Sequence, residues 1–352
     1  MPDIPFYGCL RENRALLAEA QPIFSEVYSS GMMLEGPWVT EFEAQVASTA
    51  GRAHGVALGS ATDGLYLALK CLGIGPGDEV LTTDFSFIAT AAAILRVGAT
   101  PVFADIGAAC AIDFTRAAAR VGPRCKALVH VPLFGGMIDP GVVEAFADDH
   151  GLLLIEDAAQ AFGASYGARA AGSTGLASVF SFDPTKVLNA PGSGGAVVTD
   201  DASMAQRLRR LRNHGKEGSG FAEAGLNSKM PSLAAALCLL KLRHLPDWAK
   251  TRAKIAASYD GALRAKGWQR PLWDDAVTHA WHKYTFLAPE RDRLRAHLAA
   301  HGVPSVVHYP LPFHREPMFG AALADDDFPQ ATQISGQILS LPIHGQITEG
   351  EL

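Results

Sequence analysis

The sequence has no cysteine pair at metal-binding or redox spacing. Its five cysteines, Cys9, Cys71, Cys110, Cys125 and Cys238, are odd in number and far apart, with no Cys-x-x-Cys and no Cys/His cluster. A disulfide framework and a zinc site are therefore excluded as organising features, no metal is expected, and a reducing, cytoplasmic compartment fits. Base is not in excess: 30 Lys and Arg against 36 Asp and Glu leave a net charge of -6, and no basic run is interleaved with aromatics. Nucleic acid is not an expected partner. No apolar run of membrane-spanning length occurs, and residues 1–14 lack the basic start and apolar core of a signal peptide. Neither membrane insertion nor secretion is expected. There is no internal repeat and no low-complexity segment. Gly-x-Gly-x-x-Gly is also missing, since the first strand-turn-helix reads Gly59-Ser60-Ala61-Thr62, which argues against a plain dinucleotide-dependent dehydrogenase. Small molecules remain as the expected ligands.

At 352 residues and 48% hydrophobic, the chain can bury a sizeable core, and two domains are expected, 1–245 and 246–352. Helical periodicity marks 11–29, closed by Gly31, and then 39–49. Strands at 55–58, 79–83, 101–104, 127–131 and 152–155 alternate with a helix that Gly59-Ser60-Ala61-Thr62 opens and that runs to Cys71, and with helices over 87–97 and 140–149. That alternation predicts an α/β fold with a mostly parallel sheet, helices on both faces, and ligands beyond the carboxyl ends of the strands. Further helices are expected at 202–212, 232–242, 249–266 and 292–301, with a strand at 284–287. The domain boundary is placed at Leu245-Pro246, and the remainder reads as a smaller α+β domain.

Three groups stand at the expected strand ends: Thr83 to Phe87, Glu156-Asp157, and the stretch from Ser178 to Thr199. In the last, two apolar runs flank Lys186 and the glycines Gly192, Gly194 and Gly195. A lysine on a loop at the core's edge can be partly desolvated and made nucleophilic; the alternative is a solvated surface lysine. Gly59 to Thr62 can aim helix amides at a phosphate, or can simply cap the helix through Ser60 or Thr62. An amine, a carboxylate for a pyridine nitrogen and a phosphate cradle are what pyridoxal phosphate requires. Lys186, Asp157 and Ser60 to Thr62 are the candidates, and Phe85 or Phe87 could stack on the ring or fill core.

Ordered matches extend over nearly the whole chain: Gly59-Ser60-Ala61-Thr62-Asp63-Gly64-Leu65, Phe87 to Ala91, Gly98 to Asp105, Glu156-Asp157-Ala158-Ala159-Gln160-Ala161, Phe180-Ser181-Phe182 with Lys186 and Gly194-Gly195, Arg212-Asn213-His214-Gly215, Gly225-Leu226-Asn227 and His308-Tyr309. In these the chain resembles the DegT/DnrJ/StrS family of pyridoxal-phosphate-dependent sugar aminotransferases. The resemblance implies the type I, aspartate aminotransferase-like fold and a homodimer with a shared active site. It implies Lys186 as the Schiff-base lysine, Asp157 at the ring nitrogen, Gln160 beside the ring and Phe87 stacked on it. Ala61, Thr62 and Ser181 fall at the phosphate, with Asn227 from the neighbouring subunit. Asp183 stands where many relatives have His or Tyr, and Lys229 where Arg is common. Relatives usually continue into a final helix past the point where this sequence ends. The five residues between Lys186 and Gly192 resemble the branch in which 3-aminotransferases are frequent. The implied reaction moves an amino group from an amino acid, glutamate by expectation, to a keto sugar carried on a nucleotide. Lys229, His308, Tyr309, His314 and Arg315 are candidates for substrate contact or ordinary rim residues. Alternatives are a keto-cyclitol aminotransferase, a sugar dehydratase, which Lys186 opposes because those relatives carry histidine there, and a non-catalytic regulatory or binding protein.

Overall fold

A computed structural model describes residues 4–320 and 324–351. Its centre is a seven-stranded sheet. The strands are β1 (His54–Leu58), β2 (Glu79–Thr83), β3 (Thr100–Ala104), β4 (Cys125–His130), β5 (Leu153–Asp157), β6 (Ala177–Ser181) and β7 (Gly195–Thr199). They lie in the order β1-β7-β6-β5-β4-β2-β3. β3, β2, β4, β5 and β6 pair in parallel. β7 runs antiparallel to both β1 and β6. Parallel neighbours need a crossover, usually a helix, and the segment between β6 and β7 contains none, so the chain turns straight back.

Side chains alternate between the two faces of these strands, and each face packs a separate core. Val56, Leu58, Val179 and Val197 pack with Leu65, Leu67 and Leu208 on one side. Ala57, Phe180, Ala196 and Val198 pack with Phe42, Val46, Ala234 and Ala235 on the other. All five residues of β6 and of β7 are buried, which is why both read as continuous apolar runs rather than alternating ones.

Two expectations about helices are corrected. The helix expected over 11–29 is two, α1 (Cys9–Ala15) and α2 (Leu17–Ser30), broken at Leu16 and closed by Gly31 at φ 70°, a left-handed cap that glycine adopts without strain. The helices expected at 232–242 and 249–266 are one, α3 (Ser232–Lys266), with Pro246 inside it. Proline removes one helical hydrogen bond, but burial on both sides holds the helix together: Ala234, Ala235 and Cys238 before it, Trp248, Arg252 and Ile255 after it. The helix therefore passes from the sheet's core into the C-terminal core, where Tyr284–Leu287 pairs antiparallel with Ile338–Leu341. We propose the division into 1–245 and 246–352 with that helix as its shared spine.

The matched Arg212 meets Glu43 in a buried ion pair. Arg212 bonds Glu43 Oε1 and, at 2.7 Å, the carbonyl of Ala57, while Glu43 Oε1 accepts the Ala57 amide at 2.9 Å. The pair pins the helix Pro37–Thr49 and the end of the helix Ala202–Leu211 to β1. Glu43→Ala strands the Arg212 charge, and a loss of about 3–5 kcal/mol in chemical denaturation is expected; a loss below about 1 kcal/mol would rank the pair with exposed ion pairs.

Candidate active site

The carboxyl ends of β2, β5 and β6, the start of β7 and the helix α4 (Ala61–Cys71) following β1 surround a cleft of about 340 Å³. Asp157 is the last residue of β5 and is buried. Thr90 Oγ1 donates to its Oδ2 at 2.7 Å, and the Ala159 amide reaches Oδ1 at 3.3 Å. Burial raises its pKa, while Thr90, the Ala159 amide and the nearby Lys186 charge pull it back. Glu156 faces away, its Oε2 accepting from the Gly172 amide at 2.8 Å and from Ser178 Oγ at 2.9 Å.

Burial pushes Glu156 from its ordinary 4.5 up to about 7. The folded state then keeps a proton that the unfolded state has lost, so stability falls as pH rises through that window. Glu156→Gln cannot titrate; between pH 5.5 and 8, by about one unit steps, its melting temperature is expected to fall less than the wild type's. Parallel curves would contradict the shift.

Lys186 lies on the β6–β7 segment, half-buried on the cleft wall. Desolvation lowers its pKa, opposed by Asp157 and Asp183; it is not a solvated surface lysine. Its segment is clamped from both sides. The Lys186 amide donates to the Asp183 carbonyl at 2.9 Å, and Asp183 Oδ1 accepts from the Thr185 amide at 2.9 Å and its hydroxyl at 2.7 Å. Behind it, Asn189 Nδ2 donates to buried Glu12 at 2.8 Å and to the Lys186 carbonyl at 3.3 Å, and Lys241 Nζ reaches Asn189 Oδ1 at 2.5 Å.

At the start of α4, Ser60 Oγ accepts the Asp63 amide at 3.1 Å and the Ser60 carbonyl takes the Gly64 amide at 3.1 Å. The first four amides of a helix have no partner within it, which leaves those of Ala61 and Thr62 on the cleft. Capping and an anion cradle thus coexist. β7 approaches this turn closely: a Cβ at Gly195 would stand 2.4 Å from the Ala61 nitrogen and 2.5 Å from the Ser60 carbonyl carbon. Gly195→Ala must push the turn aside, so at least about tenfold weaker cofactor retention is expected on dialysis; unchanged retention would dissociate the turn from cofactor binding.

Of the two phenylalanines, Phe87 is 51% exposed on the cleft, whereas Phe85 is fully buried beneath Tyr309, 6.0 Å between ring centroids. Gln160 Nε2 donates to Tyr309 Oη at 2.9 Å and its Oε1 accepts the Phe134 amide at 3.2 Å. Ser181, His308 and Tyr309 also line the cleft. His308 Nδ1 lies 2.8 Å from Ser340 Oγ, and burial with two nearby lysines pushes its pKa down to about 3.

The remaining candidates fall elsewhere. His314 is buried, with Nδ1 2.5 Å from Asp84 Oδ2 and Nε2 3.0 Å from Asp325 Oδ1. It ties the segment after His308-Tyr309 to the end of β2 and does not line the cleft. Arg315 is paired with Asp325 at 2.5 Å and 2.7 Å. Asn227 is exposed and Lys229 half-buried, and neither lines the cleft. The cleft also holds Ser86, from the Thr83 to Phe87 group, and Tyr7, His282 and Lys283, which were not singled out from sequence. Thr90 was visible only as part of a matched motif. His282 and Lys283 stood directly before an expected strand, in a place where polar residues ask for an explanation.

A model of the DegT/DnrJ/EryC1/StrS aminotransferase family matches residues 15–352. The chain belongs to this family. It is 37% identical to a "Pleiotropic regulatory protein" of Geobacillus stearothermophilus over 99% of this chain and 95% of that one. It is 38% identical to the dTDP-3-amino-3,4,6-trideoxy-alpha-D-glucose transaminase of Streptomyces venezuelae, over 97% and 91%. The crystal structure of S. venezuelae DesV superposes with a TM-score of 0.96 at 36% identity, covering 100% of this chain and 96% of that one. The chain is thus an aminotransferase of the expected fold. Pyridoxal phosphate is the family's cofactor, and the cleft fits it: a desolvated lysine, a buried carboxylate and two free helix amides share one wall. Among the described residues no helix is long and apolar enough to cross a membrane, and no group of three or more His, Cys, Asp or Glu is placed to hold a metal ion.

Proposed function

We propose that the protein aminates C3 of a keto sugar carried on a nucleotide, with L-glutamate as the amino donor. The observation that carries the transaminase reading is the joint presence of Lys186 and Asp157 on the cleft that the amides of Ala61 and Thr62 also line. The S. venezuelae relative named for a 3-amino sugar supports C3, as does the spacing from Lys186 to Gly192. The regulatory description of the G. stearothermophilus relative favours the non-catalytic alternative, but a chain released from catalysis has no reason to hold a desolvated lysine beside a buried carboxylate.

When bound, the cofactor supplies an electron sink next to the carbon whose proton moves. The amides of Ala61 and Thr62 and the hydroxyls of Thr62 and Ser181 hold its phosphate. Asp157, kept in place by Thr90, holds a proton on the ring nitrogen by a charge-assisted hydrogen bond. Phe87 stacks on the ring and Gln160 flanks it. Lys186 Nζ would anchor the cofactor, and desolvation raises the fraction that is free amine. Freed by the incoming amino group, the same Nζ would take the proton from the donor's α-carbon, and in the return half would restore a proton to the former ketone carbon. His308 and Tyr309 contact the substrate. A homodimer in the cytoplasm is proposed, with Asn227 and Lys229 reaching the neighbouring subunit's cleft.

The test is a panel of 3-keto and 4-keto nucleotide sugars and keto-cyclitols, each offered with glutamate, the product's amine being located by NMR. A 3-amino nucleotide sugar is expected. An amine at C4, or turnover of cyclitols alone, would replace the substrate assignment.

A further inference from the structure

Lys283 is a buried amine that the reaction as described above does not use. It directly precedes the strand Tyr284–Leu287, is 4% exposed, and among the described residues its Nζ has no hydrogen-bond partner. Its nearest company is aromatic, with Nζ 4.2 Å from the Tyr7 ring centroid and 5.7 Å from that of Phe6. Burial opposes its charge most strongly, Lys186 and Arg252 add to this, and Asp183 alone favours it. An apolar residue would pack at this position without leaving a charge unmatched, whereas an unpaired buried ammonium is costly. What makes the arrangement intelligible is an anion supplied from the cleft, whose wall Lys283 shares with Lys186.

We propose that Lys283 is a carboxylate-recognising residue of the substrate site. This rests on the aminotransferase reading. An amino acid whose nitrogen displaces Lys186 carries a carboxylate one bond from the reacting carbon, and Lys283 lies beside Lys186 on that wall. The helix amides of Ala61 and Thr62 suit the cofactor's phosphate, and none of the groups that set the electrostatics of Lys283 belongs to that turn. Tyr7, 36% exposed on the cleft, covers the ammonium in the absence of a ligand through its ring face; a carboxylate replaces this weak contact with a charge-assisted one. The carboxylate comes either from the amino-acid donor or from a keto sugar oxidised at its terminal carbon.

The holoenzyme is tested as Lys283→Met, which keeps length and removes charge, and as Lys283→Arg, which restores charge. With the cofactor's visible band intact, Lys283→Met is expected to raise the half-saturating glutamate concentration at least about 30-fold while the KM of an uncharged keto sugar changes less than about threefold. Lys283→Arg is expected to recover most of the loss. If instead glutamate is unaffected and only a uronate-type keto sugar weakens, the carboxylate is the acceptor's. Normal affinity for both carboxylate-bearing substrates overturns the proposal. Should Lys283→Met not fold, the wild type is compared with glutarate and glutaramide as competitors of glutamate, and equal inhibition by the two overturns it. A wild type that never develops the cofactor band defeats the underlying reading instead, and the inference with it.

Discussion

Lys186→Ala abolishes transamination, with a fall of at least about 10⁴-fold expected in kcat/KM and no visible band from lysine-bound cofactor. The size of the effect follows from the two tasks of one nitrogen, covalent anchor and proton carrier. His308 is pushed down to about 3 and is a poor proton acceptor at neutral pH. The fold should survive. The segment is held through the Lys186 amide on Asp183 and through Asn189, Glu12 and Lys241, and alanine keeps the backbone part of each contact. A melting temperature within about 3 °C of the wild type is expected. Activity within about tenfold of the wild type would remove Lys186 from both roles.

Asp157→Asn is the second large effect, a fall of about 10²-fold or more in kcat/KM. Asparagine keeps the size and an oxygen for Thr90, but it cannot balance a protonated ring nitrogen. Activity and stability should then separate. Burial raises the Asp157 pKa, meaning that its charge is held at a cost in the protein without cofactor. The neutral variant should therefore match or exceed the wild type in thermal stability before cofactor is added, and gain less on addition. Equal gains from cofactor in the two proteins would show that the carboxylate does not meet the ring.

The sheet was legible because its strands are buried on both faces and so read as short apolar runs between turn residues. Asp157 and Lys186 were legible because each interrupts such a run with a charge at its end. The direction of β7 lay in the missing helix between Phe182 and Gly194, a feature noticed only once the pairing is known. Pro246 misled because a local rule predicts a break where burial of Trp248 and Arg252 continues the helix. His314 and His308 look alike in a proline-rich segment. Only the fold turns His308 toward the cleft and locks His314 against Asp84. Lys283 was missed because lysines are mostly exposed, and nothing in its neighbours' identities signals that this one lies beneath Phe6 and Tyr7.

The most direct test of the central claim is the absorbance spectrum of the purified protein supplied with pyridoxal phosphate, recorded before and after glutamate and again after the keto sugar. The account predicts a visible band that Lys186→Ala lacks, that glutamate bleaches with release of 2-oxoglutarate, and that the accepted keto sugar restores. A protein that binds the cofactor through Lys186 yet leaves the band unchanged with every amino donor would contradict it.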